Sequence, residues 1–312
     1  MGNKENNFAS AIIYVHNAER RIEDFLKTII DVMEGNFEHS EIICINDYSD
    51  DNSLDVIKKT STNATTTSVS VVNMSYFHGL ELAMSAGCDL SIGDFVFEFD
   101  NTIQDFSSDI IMKVYHRSLA GYDIVSASPN GKERFSSKLF YKVFDTFSDL
   151  SIKMNTERFR ILSRRVINRT SSMNKTVPYR KAIYANSGLK TDNIIYNVKS
   201  IVKTARDKRE QDYRASLASD TLILFTDVGY KVSKIMTALM MLISLFMILY
   251  SIAIFATSHP IAGWTTTIMF LSVAFLGLFG ILTIIIKYLQ LIVDLVFRRK
   301  YYSVENIEKL TK

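Results

Sequence analysis

Gly93-Asp-Phe-Val-Phe-Glu-Phe-Asp-Asn-Thr-Ile-Gln-Asp105 is a run of apolar and aromatic residues that ends abruptly in acids and amides. Such a run predicts a buried strand that delivers polar side chains to one edge of a sheet. Ligands of an open α/β sheet bind beyond the carboxyl ends of its strands, so Asp100, Asn101, Thr102 and Gln104 lie where ligand chemistry is expected. A carboxylate there suits a hard cation such as Mg²⁺ or Mn²⁺ holding a diphosphate. The alternative is that Asp100 only caps a turn.

Three similar units precede this stretch. Ala9–Val15, Glu41–Ile45 and Ser68–Asn73 are short apolar runs, each followed by polar residues and a helical pattern. This alternation predicts an α/β fold with a mostly parallel sheet and helices on both faces. Tyr122–Ser126 predicts another strand further along the chain.

The right-handed crossover rule places the ends of the parallel strands on one edge of the sheet. That edge then gathers four polar side chains along a single crevice, namely Asn17, Glu19, Asp47 and Asp100. An acceptor such as Asp47 can take the amino or imide protons of a base, while a metal at Asp100 neutralises phosphates. The crevice therefore suits a nucleotide with a metal. No glycine-rich dinucleotide or P-loop motif is present, which excludes those two kinds of site.

Three basic residues could contact phosphate groups. Lys132 and Arg134 stand in a turn and could clamp a diphosphate, although an ordinary solvated turn is the alternative. Arg160 lies inside the apolar segment Phe159–Leu162, where an arginine needs a carboxylate or phosphate partner. The net charge of +3, from 36 basic and 33 acidic residues, is too small and dispersed to indicate nucleic acid.

The C-terminal third of the chain is strongly apolar. Ile235–Thr257 and Trp264–Ile286 contain no charged residue, and at about 1.5 Å per residue each is long enough to cross a bilayer. We therefore predict two transmembrane helices within residues 231–290. A buried helical hairpin of a soluble core is the alternative.

The flanking charges predict the orientation of these helices. Basic residues stand at the outer ends of the hairpin and none stands in the link Ser258–Gly263, which places both termini in the cytoplasm. The first residues lack an apolar signal region. Cys44 and Cys88 are expected to be small core residues of a cytoplasmic domain.

The segment 177–230 has a less definite pattern. Apolar residues from Ile194 to Ala205 recur at helical spacing opposite lysines and arginines, which predicts a juxtamembrane amphipathic helix on an anionic surface. The alternative is a strand from Asp192 to Val198 followed by a basic loop.

Four patches of the sequence follow one another in a recognisable order. The first two are Ile13-Tyr-Val-His-Asn-Ala-Glu19 and Asn46-Asp-Tyr-Ser-Asp-Asp-Asn-Ser53. The other two are Asp100-Asn-Thr-Ile-Gln104 and Phe159-Arg-Ile-Leu-Ser-Arg164. In this order they resemble the membrane-anchored family 2 glycosyltransferases that load polyprenyl phosphates, such as dolichol-phosphate mannosyltransferase and bactoprenol glucosyltransferase. The first three patches are similar to that family's opening I-P-V-Y-N-E-E, its segment N-D-G-S-T-D-N-S and its metal motif D-x-D-x-Q, and the resemblance covers nearly the whole chain in patches.

The resemblance implies a GT-A-type domain over residues 1–176, followed by the juxtamembrane segment, the hairpin and a cytoplasmic tail at 291–312. It implies a nucleotide sugar bound by Asn17, Glu19 and Asp47, and a divalent metal held by Asp100 and Gln104. The chain departs from the family at four points. Thr102 replaces the second acid of the metal motif, Arg158 replaces an acid that is a candidate base, and Tyr14 replaces a proline. The family's segment R-x-x-G-E-S-K-Y is not recognisable between Val198 and Arg214.

Two hypotheses follow for the function. The first is an inverting transfer of a sugar from a nucleotide to a polyprenyl phosphate at the cytoplasmic membrane face, with Asp100 and Arg160 as catalytic residues and with Mg²⁺ or Mn²⁺ binding weakly, only beside the nucleotide sugar. The second is a catalytically lapsed relative that acts as an interaction or regulatory subunit, since the metal motif is incomplete. The sequence is compatible with a homo-oligomer but does not determine it.

Overall fold

A computed structural model of the chain describes residues 4–131, 142, 144, 156–172, 179–185, 187–198, 208–225, 232, 235–236, 239–240, 242–243, 246, 263–297 and 302–311. Its strands are β1 Ala9–Val15, β2 Ser40–Asn46, β3 Ser68–Met74, β4 Phe95–Phe99, β5 Ile124–Asn130, β6 Phe159–Ser163, β7 Thr191–Asn197 and β8 Val304–Lys309. Its helices are α1 Glu19–Asn36, α2 Ser53–Ser61, α3 Leu80–Leu90, α4 Asp109–Leu119, α5 Arg164–Ser172, α6 Arg180–Ala185, α7 Lys208–Phe225 and α8 Gly263–Phe297.

The strands form one sheet in the order β7-β5-β6-β4-β1-β2-β3-β8. Strands β4, β1, β2 and β3 are parallel neighbours, and β7 is parallel to β5. Strand β6 runs antiparallel between β4 and β5, and β8 runs antiparallel at the far edge. The predicted α/β fold with a mostly parallel sheet is therefore confirmed, and β1, β2 and β4 end at the same edge.

Alternate side chains of β1 enter two separate cores. Ile13 packs in a cluster with α1 and α4 residues such as Phe25 and Val114, whereas Ile12 packs in a second cluster with Met84 of α3 and Val166 of α5. Because successive strand residues point to opposite faces, a strand covered on both faces is apolar at nearly every position. This explains why β1 reads as a continuous apolar run.

The sheet extends beyond the predicted domain boundary at residue 176. Residues Thr191–Asn197 form β7 beside β5, so the strand alternative is correct there and the predicted amphipathic helix is wrong over these residues. Strand β8 likewise brings part of the predicted C-terminal tail onto the sheet, beside β3. Residues 199–207, which complete the predicted basic helix, lie outside the described part of the chain.

The predicted hairpin is described only in part. Most of Ile235–Thr257 lies outside the described residues, and the second predicted span falls within helix α8. Over the stretches that the structure describes, no helix combines the length and the apolar character that crossing a membrane requires.

Candidate active site

The loops after β1 and β2 meet at the carboxyl edge of the sheet. Asn17 and Tyr48 both have positive φ, 47° and 53°, a region that asparagine tolerates better than most residues. The Asn17 amide oxygen accepts a hydrogen bond from the Asp50 backbone N–H at 2.9 Å. The Asn17 backbone N–H donates to Ser49 Oγ at 3.2 Å. Asn17 therefore fastens one loop to the other.

Glu19 strengthens the same junction. Its Oε1 accepts from Asn52 Nδ2 at 3.2 Å, and its backbone N–H donates to Asp51 Oδ2 at 3.0 Å. The structure thus brings Asn17 and Glu19 beside the loop that begins at Asp47, as predicted. Their contact with a nucleotide stays a prediction.

Asp47 is fully buried at the end of β2. Its Oδ1 accepts from the His78 backbone N–H at 2.8 Å, and its Oδ2 accepts from the Gly79 N–H at 2.8 Å and from the Tyr14 hydroxyl at 3.0 Å. Burial raises the pKa of Asp47, although these donors oppose the rise. In this structure the carboxylate organises the loop after β3, and its predicted contact with a nucleobase stays a prediction.

Aromatic side chains surround this end of β1, β2 and β3. The rings of His16 and Phe77 lie 4.7 Å apart between centroids, and Phe77 meets Tyr213 of α7 edge to face at 5.9 Å. Tyr48 and Tyr76 are 47% and 53% exposed. Sequence reasoning missed this group, although Tyr76-Phe-His78 directly after a predicted strand was a usable signal.

Asp100 lies at the end of β4 and is held by two arginines. Its Oδ2 accepts from Arg160 Nη2 at 2.6 Å, and its Oδ1 accepts from Arg180 Nη2 at 2.7 Å. Arg160 stands on β6 beside β4, and Arg180 is the first residue of α6. The predicted need of Arg160 for a carboxylate partner is therefore met within the chain.

A second buried carboxylate, Glu98, lies two residues before Asp100 on the same face of β4. Its Oε2 accepts from Arg160 Nη1 at 2.7 Å and its Oε1 from Arg180 Nη1 at 2.5 Å. Burial alone would raise the pKa of Asp100 and Glu98, but the two guanidiniums hold both pKa values below their usual range. Both carboxylates are therefore ionised at neutral pH.

Sequence reasoning missed Glu98 and Arg180. Glu98 could have been found as the single acid inside the apolar strand Phe95–Phe99. Arg180 gave no local signal, because its partner carboxylates are distant in the sequence. Asp100, for example, lies 80 residues before it.

The family follows from comparison with known proteins. A family model described as Glycosyl transferase family 2 matches residues 10–170, more than half of the chain. The chain belongs to glycosyl transferase family 2. Among similar proteins, an uncharacterized glycosyltransferase of Synechocystis sp. is 26% identical over 96% of this chain and 95% of its own length. A prophage bactoprenol glucosyl transferase homolog of Escherichia coli is 30% identical over 60% of this chain and 62% of its own length.

A solved structure shares the fold of this family 2 chain. Glucosyl-3-phosphoglycerate synthase of Mycobacterium tuberculosis, solved with Mn²⁺, uridine diphosphate and phosphoglyceric acid, superposes with a TM-score of 0.51 at 13% identity. The alignment covers 70% of this chain and 76% of that protein. This likeness supports a GT-A-like fold for the sheet domain.

Asp100 and Gln104, the residues predicted to hold a metal ion in this glycosyltransferase, do not have the surroundings of a metal site. Both oxygens of Asp100 are engaged by arginines, and the Gln104 amide oxygen instead accepts from Thr28 Oγ1 of α1 at 3.2 Å. Thr102 is 4% exposed and carries no charge. Within the described ranges, no three His, Cys, Asp or Glu side chains are grouped to hold a metal ion. The carboxylate of Asp100 is therefore paired with two arginines where a metal ion was predicted.

Two further predicted residues and one replacement complete the site. Lys132 and Arg134 lie outside the described residues, so their predicted phosphate contacts are untested. Arg158, which replaces the family's acid, instead pairs with Asp105; its Nε donates to Asp105 Oδ1 at 2.9 Å. The Tyr196 hydroxyl donates to the same oxygen at 2.7 Å, which ties β7 to the loop after β4.

Proposed function

We propose that this family 2 glycosyltransferase moves a sugar from a nucleotide sugar to a polyprenyl phosphate at the cytoplasmic face of a membrane. The observation that carries the proposal is the 30% identity with bactoprenol glucosyl transferases over 60% of the chain. The family 2 model matches residues 10–170. This range includes the loops after β1 and β2 and the strand β4, which leads into Asp100.

The crevice supports a nucleotide sugar as the donor. Uridine diphosphate is bound by the solved glucosyl-3-phosphoglycerate synthase, which has the same fold. In this chain, exposed Tyr48 and Tyr76 offer aromatic faces beside the loop that Asp47 fixes. Aromatic stacking on a base contributes about 1–3 kcal/mol per base, which is enough to help orient the nucleotide.

The proposed transfer is a single displacement that inverts the anomeric carbon. A phosphate oxygen of the acceptor attacks that carbon, and the bond from the carbon to the nucleoside diphosphate breaks, with the bonding electrons leaving on the diphosphate. The acceptor is already an oxyanion, so positioning and charge stabilisation matter more than a base. The loss of the family's acid at Arg158 is therefore less damaging to the proposed transfer.

A lipid acceptor requires the chain to contact the membrane, and its C-terminal part has a surface suited to that contact. Large apolar side chains are 41–51% exposed at helical spacing along α8, namely Leu271, Phe275, Leu278 and Leu282. Contiguous exposed apolar surface of this kind supports contact with lipid or protein. We propose that the charge-free runs Ile235–Thr257 and Trp264–Ile286 anchor the chain as a hairpin.

A transfer assay tests this proposal. The purified full chain, in liposomes that contain polyprenyl phosphate, is incubated with a panel of radiolabelled nucleotide sugars. We expect one donor to give a labelled lipid that mild acid hydrolyses. No labelled lipid from any donor, with protein that is folded by circular dichroism, would rule out the proposal for that panel.

The arginine-bound state of Asp100 favours a second candidate, a lapsed relative that acts through binding. Its test is complementation in a cell that lacks this protein. If the cell is rescued equally by the wild type and by a variant with the Asp47 loop disrupted, and no transfer is measured, the binding role is supported. Rescue that tracks transfer activity excludes it.

A further inference from the structure

We infer that the donor crevice binds its nucleotide sugar without a divalent cation, because Arg160 and Arg180 occupy the surroundings of Asp100 where such a cation would bind. The inference rests on the proposed nucleotide-sugar donor. It concerns the cofactor requirement of the same site.

The two arginines and two carboxylates form a closed ring, which we call the arginine–carboxylate ring. Asp100 bonds both arginines, at 2.6 and 2.7 Å, and Glu98 bonds both at 2.7 and 2.5 Å. Each guanidinium thus bridges the two carboxylates through its Nη1 and Nη2 atoms. The ring joins β4, β6 and α6.

The Nε donors of the two arginines are also occupied. Arg160 Nε donates to Glu157 Oε2 at 3.0 Å, and Arg180 Nε donates to Glu81 Oε2 at 2.9 Å. The two arginines are 1% and 3% exposed. Removing one partner from a buried ion pair leaves an uncompensated charge, so the ring resists opening.

A divalent ion at Asp100 would bind beside two guanidiniums that already donate to both carboxylate oxygens of this residue, and both would repel it. An arginine displaced to make room would stay buried without its partner and close to a second arginine. The two guanidiniums already carry the formal charge of one divalent ion. Thr102 and Gln104 supply no further negative charge, and Gln104 is bonded to Thr28.

Within the arginine–carboxylate ring, Glu98 and Asp100 already balance the charge of the two arginines, and Glu157 and Glu81 accept from the Nε atoms. The role of the ring is therefore to position the end of β4 and to remove Asp100 from metal binding, and it does not act as a diphosphate receptor.

Electron paramagnetic resonance of Mn²⁺ tests this inference without relying on activity. The full chain in detergent is titrated with Mn²⁺, alone and with uridine diphosphate, against a protein-free control. We expect the protein to remove no Mn²⁺ signal beyond that control. We also expect the Kd for uridine diphosphate to change by less than about twofold between EDTA and Mn²⁺. Signal loss that requires the protein and disappears in Asp100→Ala would overturn the inference.

A second experiment uses a variant in which Asp100 is freed to bind Mn²⁺. Arg180→Met combined with Glu98→Gln removes one positive and one negative charge and frees Asp100 Oδ1, so Mn²⁺ binding should increase about tenfold or more. Arg158→Met is the matched control, because its guanidinium pairs with Asp105 and not with Asp100. An equal gain in the control would show that the ring is not what excludes the ion.

The outcomes separate this inference from the proposed function. If no nucleotide sugar supports transfer, the proposed function fails, yet the Mn²⁺ titration of the wild type still decides whether Asp100 binds a cation. If transfer occurs but needs Mn²⁺ and Asp100 together, the proposed function stands and the inference is wrong. Should the double variant not fold, the wild-type titration remains decisive.

Discussion

Asp47 connects three segments that are far apart in the sequence, through donors from Tyr14, His78 and Gly79. Asp47→Asn keeps the size but turns one acceptor oxygen into a donor, which leaves a buried N–H or O–H without a partner. We expect a loss of about 1–3 kcal/mol in the free energy of unfolding, with weaker binding of uridine diphosphate. Urea unfolding and calorimetric titration measure the two effects.

Asp50→Asn is the control for that change. Asp50 is exposed in the same loop, and Arg209 Nη1 lies 3.9 Å from its Oδ2. We expect unfolding to change by less than about 0.5 kcal/mol, as for most surface substitutions. Equal losses in the two variants would show that burial of Asp47 is not the cause.

The arginine–carboxylate ring makes the free energy of unfolding depend on pH in the acid range. The pKa values of Asp100 and Glu98 are lower in the folded chain than in the unfolded chain, where they are about 3.9 and 4.3. Below these unfolded values the unfolded chain binds more protons, so the stabilisation is present at neutral pH and is lost as the pH falls through that range. We expect the thermal midpoint to drop steeply below about pH 4.

Asp100→Asn should make that dependence shallower, because one of the two titrating carboxylates is gone. Its midpoint at neutral pH should also be lower, since both arginines lose a charged partner. Circular dichroism melts between neutral and acid pH make the comparison. Parallel curves for the wild type and the variant would contradict a role of Asp100 in acid sensitivity.

At the scale of elements, helix α7 packs against the loop after β3 through Tyr213. Gly79 has a φ of 80°, and a Cβ on it would lie 2.3 Å from the Tyr213 ring. We expect Gly79→Ala to destabilise the fold by about 1–3 kcal/mol, because the substitution adds backbone strain and a steric clash. Gly35→Ala, in helix α1 with open space around it, should be neutral or stabilising by up to about 1 kcal/mol.

The elements differ in how far the sequence could predict them. Strands β1 to β4 are buried on both faces and followed by loops with definite turn chemistry, so their order and shared edge were predictable. Strand β7 buries only Tyr196 fully and leaves most of its other residues half-buried, so its pattern could not be told from a helix. Arg180 could not be assigned to Asp100 either, because a tertiary contact leaves no periodic signal.

At the scale of the whole molecule, the pairing of β8 with β3 constrains the topology of any membrane anchor. Chain segments before and after the proposed hairpin join one sheet, so they must lie on the same side of the membrane. Single cysteines test this with an impermeant thiol reagent. We expect Ala262→Cys to react from outside intact cells, and Asp109→Cys and Glu305→Cys to react only after the membrane is opened.

The native Cys44 and Cys88 are buried, and burial raises the pKa of both thiols, so they should give little background. Labelling of Ala262→Cys only after permeabilisation would contradict the hairpin. Labelling of Glu305→Cys from outside would contradict the pairing of β8 with β3.

The late position of β8 also sets the order of events during synthesis. Asn73 of β3 bonds Asn306 of β8 across 233 residues. At about 5–20 residues per second, the ribosome needs on the order of tens of seconds to supply the second strand. During that time the β3 edge is open to pairing with other nascent chains. We therefore expect a chaperone, or a ribosome surface, that shields this edge to increase the yield of the full-length wild-type protein. The increase should be smaller for a variant whose β3 edge is already blocked by a charged substitution.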